Sequence, residues 1–281
     1  MTLAKRLCAL VLVDDTGRPR KKLEKGGLVA DFTEAIASFL AQDGADEIWL
    51  RLDPTASPTG KGANSLFAPL SALEGRVFLP LVAWGPVQSP SDARLLASFG
   101  ADRVVVDVNA GGSDPLGFVS RIAQTVGPDR VVAALSVRRS AGEKGVVWEL
   151  VDTAGQGMKI DALALAERLP AVGAAEILLL PSVPAPQSDR VVHDGELIEQ
   201  VASRLSIPVL SAGEDREPAD LAAALLMGAD GVVTSLFSGG GPSVSVGKAA
   251  LKEMGLTLRT AEGARSRTPQ VPGRRVRCCG G

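Results

Sequence analysis

The chain is poor in the residues that most often bind metals or carry nucleophilic chemistry. It contains no tyrosine, one histidine (His193) and three cysteines among its 281 residues. A site with several histidine ligands is therefore excluded, and a Ser-His-Asp triad would have to use His193. Cys8, Cys278 and Cys279 form neither a disulfide framework nor a metal-ligand spacing. We predict no metal, no cofactor and a reducing, cytoplasmic location.

Long apolar runs are also missing. No segment reaches the roughly 18 uncharged apolar residues that a membrane helix needs. The apolar run near the start ends at Asp14 and Asp15 without a small-residue cleavage pattern, so we expect no signal peptide. The net charge is −2, but six arginines and one glutamate occupy residues 259–281. We predict that residues 259–281 form a disordered, solvated basic tail, with nucleic-acid binding as the less favoured alternative.

The chain contains an internal two-fold repeat. Four segments combine Gly-Ala with a following β-branched run, and they start at Gly44, Gly100, Gly173 and Gly228. The first and third are 129 residues apart, and the second and fourth are 128 apart. Two further pairs, LPLVAWG with IPVLSAG and KRLCALVLVDD with DRVVAALSVRR, repeat after 128 and 124 residues. The chain therefore consists of two similar halves, each with four strand-like runs.

These eight runs alternate with segments that have helix signals. The runs are short and nearly continuously apolar, as expected of parallel strands buried on both faces. A capping box at Asp31–Glu34 and prolines at first helical positions (Pro90, Pro115, Pro218) indicate helices. Each repeat glycine is predicted to end a helix in a left-handed conformation. We predict a single (β/α)₈ TIM barrel over residues 1–258, because an open doubly wound sheet does not explain a two-fold repeat of four units.

Several of these segments resemble a known family. LAKR, IAQTVGPDRVVAAL, GAAEILLL, IPVLSAG and GADGVVTSLF are similar to the cyclase subunits of imidazole glycerol phosphate synthase, within the HisA/HisF barrels of histidine biosynthesis. The resemblance covers roughly residues 3–258 and keeps the order of all eight strands. It implies a lyase that takes ammonia from a glutaminase partner and a ribotide carrying two phosphates. Its products would be imidazole glycerol phosphate and an aminoimidazole ribotide.

The resemblance places a general acid/base pair of aspartates at the ends of strands one and five, and both are replaced here, by Leu12 and Ser136. Asp14 would reach the first position only through a two-residue slip absorbed by a bulge. We therefore expect a diverged paralogue with impaired or lost cyclase activity. The alternatives are a working cyclase that uses a displaced acid such as Asp14, and an enzyme of new specificity that uses Asp53 and Asp107.

The resemblance also implies phosphate sites in glycine-rich loops, and the chain keeps them only in part. Strand three ends in Trp84-Gly85-Pro86 where three glycines are expected, and proline has no N–H to offer a phosphate. Four candidates remain for binding a phosphorylated small molecule. One follows strand one and the others end strands three, seven and eight: Lys21, Gly85, Gly213 and Ser235.

The opposite end of the barrel keeps the family's charges. In the resembling family, a ring of alternating charges gates an ammonia passage, and here it corresponds to Arg6, Glu47, Arg103 and Glu176. These residues begin strands one, two, four and six, so their side chains can converge on the barrel floor. We predict a partner at this N-terminal face, such as a glutaminase-type subunit. The alternative is that the ring only closes and stabilises the floor.

Four other residues have more than one interpretation. His193 is expected to be structural or solvated, and Asp194 beside it is predicted to cap a helix. Arg138 and Arg139, beyond strand five, would either meet an anion or begin a surface hairpin that includes the segment VVWEL.

Overall fold

The computed structural model describes residues 4–19, 24–25, 28–29, 36, 44–53, 62–142, 145–152, 155–181, 193–238 and 242–260. Lys21, the predicted capping box at Asp31–Glu34 and residues 261–281 of the predicted tail lie outside these ranges, as do Cys278 and Cys279.

The described residues form twelve strands, eight of which close a parallel barrel. The strands are β1 (Arg6–Val13), β2 (Glu24–Lys25), β3 (Leu28–Val29), β4 (Glu47–Leu52), β5 (Leu81–Trp84), β6 (Arg103–Asp107), β7 (Val131–Gly142), β8 (Gly145–Val151), β9 (Gly157–Asp161), β10 (Glu176–Pro181), β11 (Val209–Ala212) and β12 (Gly231–Thr234). The barrel order is β1-β4-β5-β6-β7-β10-β11-β12, and β12 pairs back with β1. The predicted (β/α)₈ barrel is confirmed, and an open sheet is excluded.

Helices connect the barrel strands. They are α1 (Phe67–Leu73), α2 (Pro90–Ser98), α3 (Pro115–Val126), α4 (Ala162–Arg168), α5 (Gly195–Ala202), α6 (Pro218–Leu226) and α7 (Val244–Glu253). The three prolines predicted at first helical positions begin α2, α3 and α6. Within the described ranges, none of these helices is long and apolar enough to cross a membrane.

The repeat segments start their strands in a common way. The four repeat glycines, Gly44, Gly100, Gly173 and Gly228, have φ values of 98°, 100°, 99° and 116°. These lie in the region that favours glycine, as the repeat predicted. In three repeats the next-but-one residue is an aspartate that accepts an N–H from the preceding barrel strand: Asp46 from Leu7, Asp102 from Leu81 and Asp230 from Val209, at 2.8 to 2.9 Å. Ala175 stands at this place in the third repeat and offers no carboxylate.

Apolar side chains fill the barrel axis. The inward-facing cluster is formed by Cys8, Leu10, Trp49, Val82, Trp84, Val105, Val132, Ala134, Leu178, Leu210, Ala212 and Val233, with Leu12 and Leu180 packed against it. Trp49 is fully buried, and its ring meets that of Trp84 edge-on with centroids 6.2 Å apart. A second, larger cluster packs the outer faces of the strands against the helices. The two tryptophans therefore occupy the axis between the floor and the mouth.

The two ends of the described chain meet beside β1. Leu258 forms a parallel bridge with Lys5, and the backbone N–H of Arg259 donates to the carbonyl of Lys5 at 3.0 Å. The buried Lys248 ammonium lies 2.9 Å from an Asp46 carboxylate oxygen and donates to the Arg259 carbonyl at 3.0 Å. Arg259, placed by the sequence at the start of the tail, is thus bonded to the barrel at its N-terminal face.

Candidate functional site

Three neighbouring strands place functional side chains at the mouth of the barrel. Arg51 lies near the end of β4, and Trp84 and Asp107 are the last residues of β5 and β6. The carboxyl ends of the strands are where TIM barrels bind ligands and carry out chemistry. The guanidinium carbon of Arg51 lies 3.9 Å from the centroid of the Trp84 ring, a cation–π contact. Trp84 and Asp107 were expected at this end of the barrel from the sequence, but Arg51 was not.

Arg51, Asp53, Trp84 and Asp107 together form a mouth cluster. Burial shifts the pKa values of Arg51 and Asp107 within it. Burial lowers the pKa of Arg51, and the nearby Asp53 and Asp107 carboxylates partly oppose that shift. Burial also raises the pKa of Asp107, although the backbone N–H of Asn109 and the charge of Arg51 lower it in part. Asp53 is buried. The two aspartates predicted to serve a new specificity are therefore close to one arginine.

The two positions at which the resemblance implies acid/base aspartates carry no carboxylate. Leu12, on β1, is half-buried and packs against the apolar cluster of the barrel axis. Ser136, on β7, is also half-buried and lies in register with Leu180 of β10. A leucine cannot transfer a proton, and an unactivated hydroxyl is a poor base near neutral pH.

Asp14 is engaged in a turn at the start of the first loop. Its Oδ1 accepts hydrogen bonds from the backbone N–H and hydroxyl of Thr16, at 2.8 and 2.7 Å, and from the backbone N–H of Arg18 at 2.9 Å. Burial raises the pKa of Asp14, but the Thr16 and Arg18 hydrogen bonds outweigh it and place that pKa below the usual value. Asp14 is therefore a turn-stabilising carboxylate that holds a proton weakly.

The candidate phosphate-binding residues are spread around the mouth. Gly85, Gly213 and Ser235 directly follow β5, β11 and β12, and each is half-buried. The Ser235 carbonyl accepts the N–H of Ser238, whose hydroxyl donates to the Leu10 carbonyl at 2.7 Å. Ser238 therefore bonds the segment that follows β12 to β1.

His193 lies in a buried network with Ser211 and Asp215. Its Nδ1 lies 2.7 Å from the Ser211 hydroxyl, and its Nε2 lies 2.8 Å from Oδ1 of Asp215. All three side chains are buried, and Ser211 faces the helices because its neighbours Leu210 and Ala212 face the axis. The hydroxyl therefore cannot attack a substrate at the mouth. His193 is structural, joining the segment before α5 to the loop after β11, and sequence spacing could not have identified its partners.

Arg138 and Arg139 bind carboxylates of the protein itself. Arg138 pairs with Glu149 at 3.0 Å across the hairpin of β7 and β8, which contains the predicted VVWEL segment. Arg139 pairs with Asp194 at 2.9 Å, and Asp194 also accepts the Leu197 N–H as the N-cap of α5. The hairpin interpretation and the helix cap at Asp194 are both confirmed.

The four charged residues at the barrel floor form a closed ring. Arg6 lies 2.8 Å from Glu47 and 2.7 Å from Glu176, and Arg103 lies 2.7 and 2.6 Å from the same two carboxylates. Burial raises the pKa of Glu47, but the charges of Arg6 and Arg103 outweigh it and lower that pKa overall. The indole of Trp49 donates to the second Glu47 oxygen at 3.0 Å. The Trp49 ring therefore lies on the barrel axis, next to the charge ring.

An exposed aromatic side chain lies at the same end of the barrel. Phe78, in the turn that leads into β5, is 89% exposed. A cleft opens beside this turn, lined by Val77, Leu79, Asp102 and Arg130 among others. Aromatic residues are enriched at the centres of protein interfaces, so Phe78 beside this cleft is a candidate contact residue.

No group of three or more His, Cys, Asp or Glu side chains is placed to hold a metal ion in the part of the chain that the structure describes.

Comparisons with known proteins agree with the barrel fold. The family described as "Histidine biosynthesis protein" matches residues 24–239. The imidazole glycerol phosphate synthase subunit HisF of Bifidobacterium longum (strain DJO10A) is 34% identical over 265 residues, which cover 92% of this chain and 100% of the relative. The same-named protein of Leifsonia xyli subsp. xyli is 33% identical over 80% of this chain and 86% of the relative. That of Streptomyces griseus subsp. griseus is 32% identical over 92% of this chain and 100% of the relative. The chain therefore belongs to the histidine biosynthesis protein family of HisA/HisF barrels.

Proposed function

We propose that this chain is a diverged paralogue of the imidazole glycerol phosphate synthase cyclase subunit that does not catalyse the parental cyclisation. The observation that carries the proposal is the packing of Leu12 against the apolar cluster of the axis, where the resemblance expects the first acid. Ser136 replaces the second acid. Since cyclisation needs protons moved by a positioned acid and base, loss of both groups removes the central chemistry of the lyase.

The alternative of a displaced acid at Asp14 has weaker support. Three hydrogen bonds to one oxygen hold Asp14 in its turn, and they keep its pKa below the usual value. A general acid near neutral pH needs a raised pKa, so Asp14 is tuned in the wrong direction.

The barrel axis also argues against ammonia delivery. In the resembling cyclases, ammonia passes the floor ring and travels along the axis. Here Trp49 is fully buried above the ring and bonded to Glu47, and Trp84 meets it edge-on. These two buried indole rings would obstruct a passage along the axis above the ring.

For the N-terminal face we propose a retained docking function. The exposed Phe78 would contact a glutaminase-type subunit or another protein, and the buried charge ring would fix the strand ends of the floor behind that surface. Co-purification of the chain with the glutaminase subunit of its own organism tests this, with Phe78→Asp as the variant and Leu95→Asp, on the exposed part of α2, as the matched control. Binding lost only in Phe78→Asp supports the proposal, and equal binding by both variants contradicts it. The cytoplasmic location stays a prediction.

The test of the lost activity is ammonia-dependent turnover of the two-phosphate ribotide by the purified chain. We expect no turnover above a protein-free control. Turnover that is abolished by Asp14→Asn would overturn the proposal and identify a working cyclase with a relocated acid. In parallel, a rise in melting temperature on adding the ribotide would show phosphate binding, for which Gly85, Gly213, Ser235 and Lys21 are the proposed contacts.

A further inference from the structure

We propose that Arg51, Trp84 and Asp107 form a binding site for a small zwitterion, an α-amino acid or a similar amine-bearing carboxylic acid. The proposal goes beyond the loss of cyclase activity and does not depend on it. The three residues lie on adjacent strands, with Arg51 in register with Trp84 and with β6 paired next to β5. They share the axis-facing side of their strands with Trp49 and Val105.

Among the described residues, no carboxylate lies at ion-pair distance from the Arg51 guanidinium, although Asp53 and Asp107 are close enough to act on its charge. The guanidinium carbon lies over the Trp84 ring, 3.9 Å from its centroid, so the cation–π contact positions the group. No hydrogen bond or ion pair joins this guanidinium to another described residue, and its nitrogens are not among the buried polar atoms that lack a partner. Its N–H groups therefore reach accessible space, in the fork geometry that binds a carboxylate through two hydrogen bonds.

Asp107 provides the opposite charge across a gap. Its Oδ1 accepts the Asn109 N–H at 3.0 Å, and its other oxygen is likewise not a buried atom without a partner. Arg51 and Asp107 attract each other but are not within the 4.0 Å of an ion pair. A ligand atom can therefore lie between them. Its ammonium would face Asp107 while its carboxylate faces Arg51.

The charge balance favours a zwitterion over a phosphate. Arg51 and Asp107 offer one charge of each sign, so a dianionic phosphate at Arg51 would also meet the like charge of Asp107. Strand β5 also ends in Trp84-Gly85-Pro86, and Pro86 offers no N–H to a phosphate. A zwitterion adds no net charge and matches both signs. The half-buried Leu12 and Leu180 at the mouth would accommodate an apolar or aromatic side chain.

A thermal-shift screen of the full chain against the natural L-amino acids, each at about 10 mM, tests this site. We expect at least one to raise the melting temperature. Its decarboxylated amine, its N-acetyl derivative and inorganic phosphate should each fail to do so. Calorimetric titration of that amino acid should then give a Kd weakened about tenfold or more in Arg51→Met and in Asp107→Asn. Arg121→Met, on the exposed part of α3, should bind as the parent does.

Three outcomes would overturn the proposal: no amino acid that stabilises the chain, stabilisation that persists in Arg51→Met, or stabilisation by phosphate that requires Arg51. Circular dichroism identifies a variant that fails to fold. In that case Arg51→Lys keeps the charge and removes the fork, and the zwitterion proposal expects it to bind more weakly than the parent. The assay contains no ribotide, so its result is separable from that of the turnover experiment.

Discussion

The charge ring of the floor gives the sharpest stability prediction. Glu47→Gln removes one of two carboxylates that bind two arginines, so Arg6 and Arg103 would share Glu176 alone. All four side chains are at most 14% exposed, so water cannot replace the lost charge. Removing one partner of a buried ion pair typically costs about 3–5 kcal/mol. We expect a loss of this size in the free energy of unfolding, measured by urea titration with tryptophan fluorescence.

Arg121→Met is the matched control for Glu47→Gln, because the side chains of the Arg121–Asp114 pair are 56% and 62% exposed at 3.4 Å. Exposed pairs contribute about 0–1 kcal/mol, so the control should stay close to the parent. The double variant Glu47→Gln/Arg103→Met restores one positive charge per negative charge. It should lose less than the sum of the two single variants. A Glu47→Gln protein within about 1 kcal/mol of the parent would refute the view that the ring carries buried, mutually dependent charges.

The same ring predicts a pH dependence. The pKa of Glu47 is lowered in the folded state, because the charges of Arg6 and Arg103 outweigh the effect of burial. Its ionised form therefore contributes stability above the unfolded pKa of about 4.3, and this contribution is lost as the pH falls through the folded value. The stability difference between the parent and Glu47→Gln should be full at neutral pH and should shrink below about pH 4. A difference that is unchanged in acid would contradict the assignment of the effect to Glu47.

Further predictions concern the repeat, the histidine network and the buried thiol. Ala175→Asp would supply the carboxylate that the third repeat lacks, as an acceptor for the Val131 N–H. It should raise the free energy of unfolding by about 0.5–1.5 kcal/mol, and an unchanged urea midpoint would contradict this. His193→Ala leaves the buried Asp215 without its partner and should cost at least about 1–3 kcal/mol in the same titration, whereas a smaller loss would mean that the network is dispensable. Burial raises the pKa of the Cys8 thiol, so a chain whose two C-terminal cysteines are changed to serine should react with a thiol reagent only in denaturant, and reaction in the folded state would refute this.

The sequence predicted those parts of the fold that depend on local chemistry and on the repeat. Glycines at Gly100 and Gly173 adopt positive φ, and Pro90 and Pro218 begin helices, because these residues restrict their own backbone. The pairing of Arg6 with Glu47 and Glu176 was also predictable. All three residues begin barrel strands, and the beginnings of the strands lie together at the barrel floor.

The site was less predictable because its groups meet through side-chain direction rather than spacing. The stacking of Arg51 on Trp84 depends on the alternation of β4, which places Glu47, Trp49 and Arg51 on the axis side. The partners of His193 are 18 and 22 residues away, and no local pattern links them. The aspartates of the repeats helped to locate the strands, but their hydrogen bonds were not predicted. Asp102, for example, accepts the backbone N–H of Leu81 on the neighbouring strand.

The contact between residues 258–259 and Lys5 determines where the arginine-rich sequence leaves the barrel. Leu258 and Arg259 are bonded to Lys5, at the end of the barrel that carries the charge ring. The chain therefore leaves the barrel on the face that we propose for docking, and the remaining five arginines follow within residues 260–281. Any protein seated on that face would lie next to the origin of a strongly cationic segment, whose charge favours an acidic partner and whose attraction weakens as salt is added.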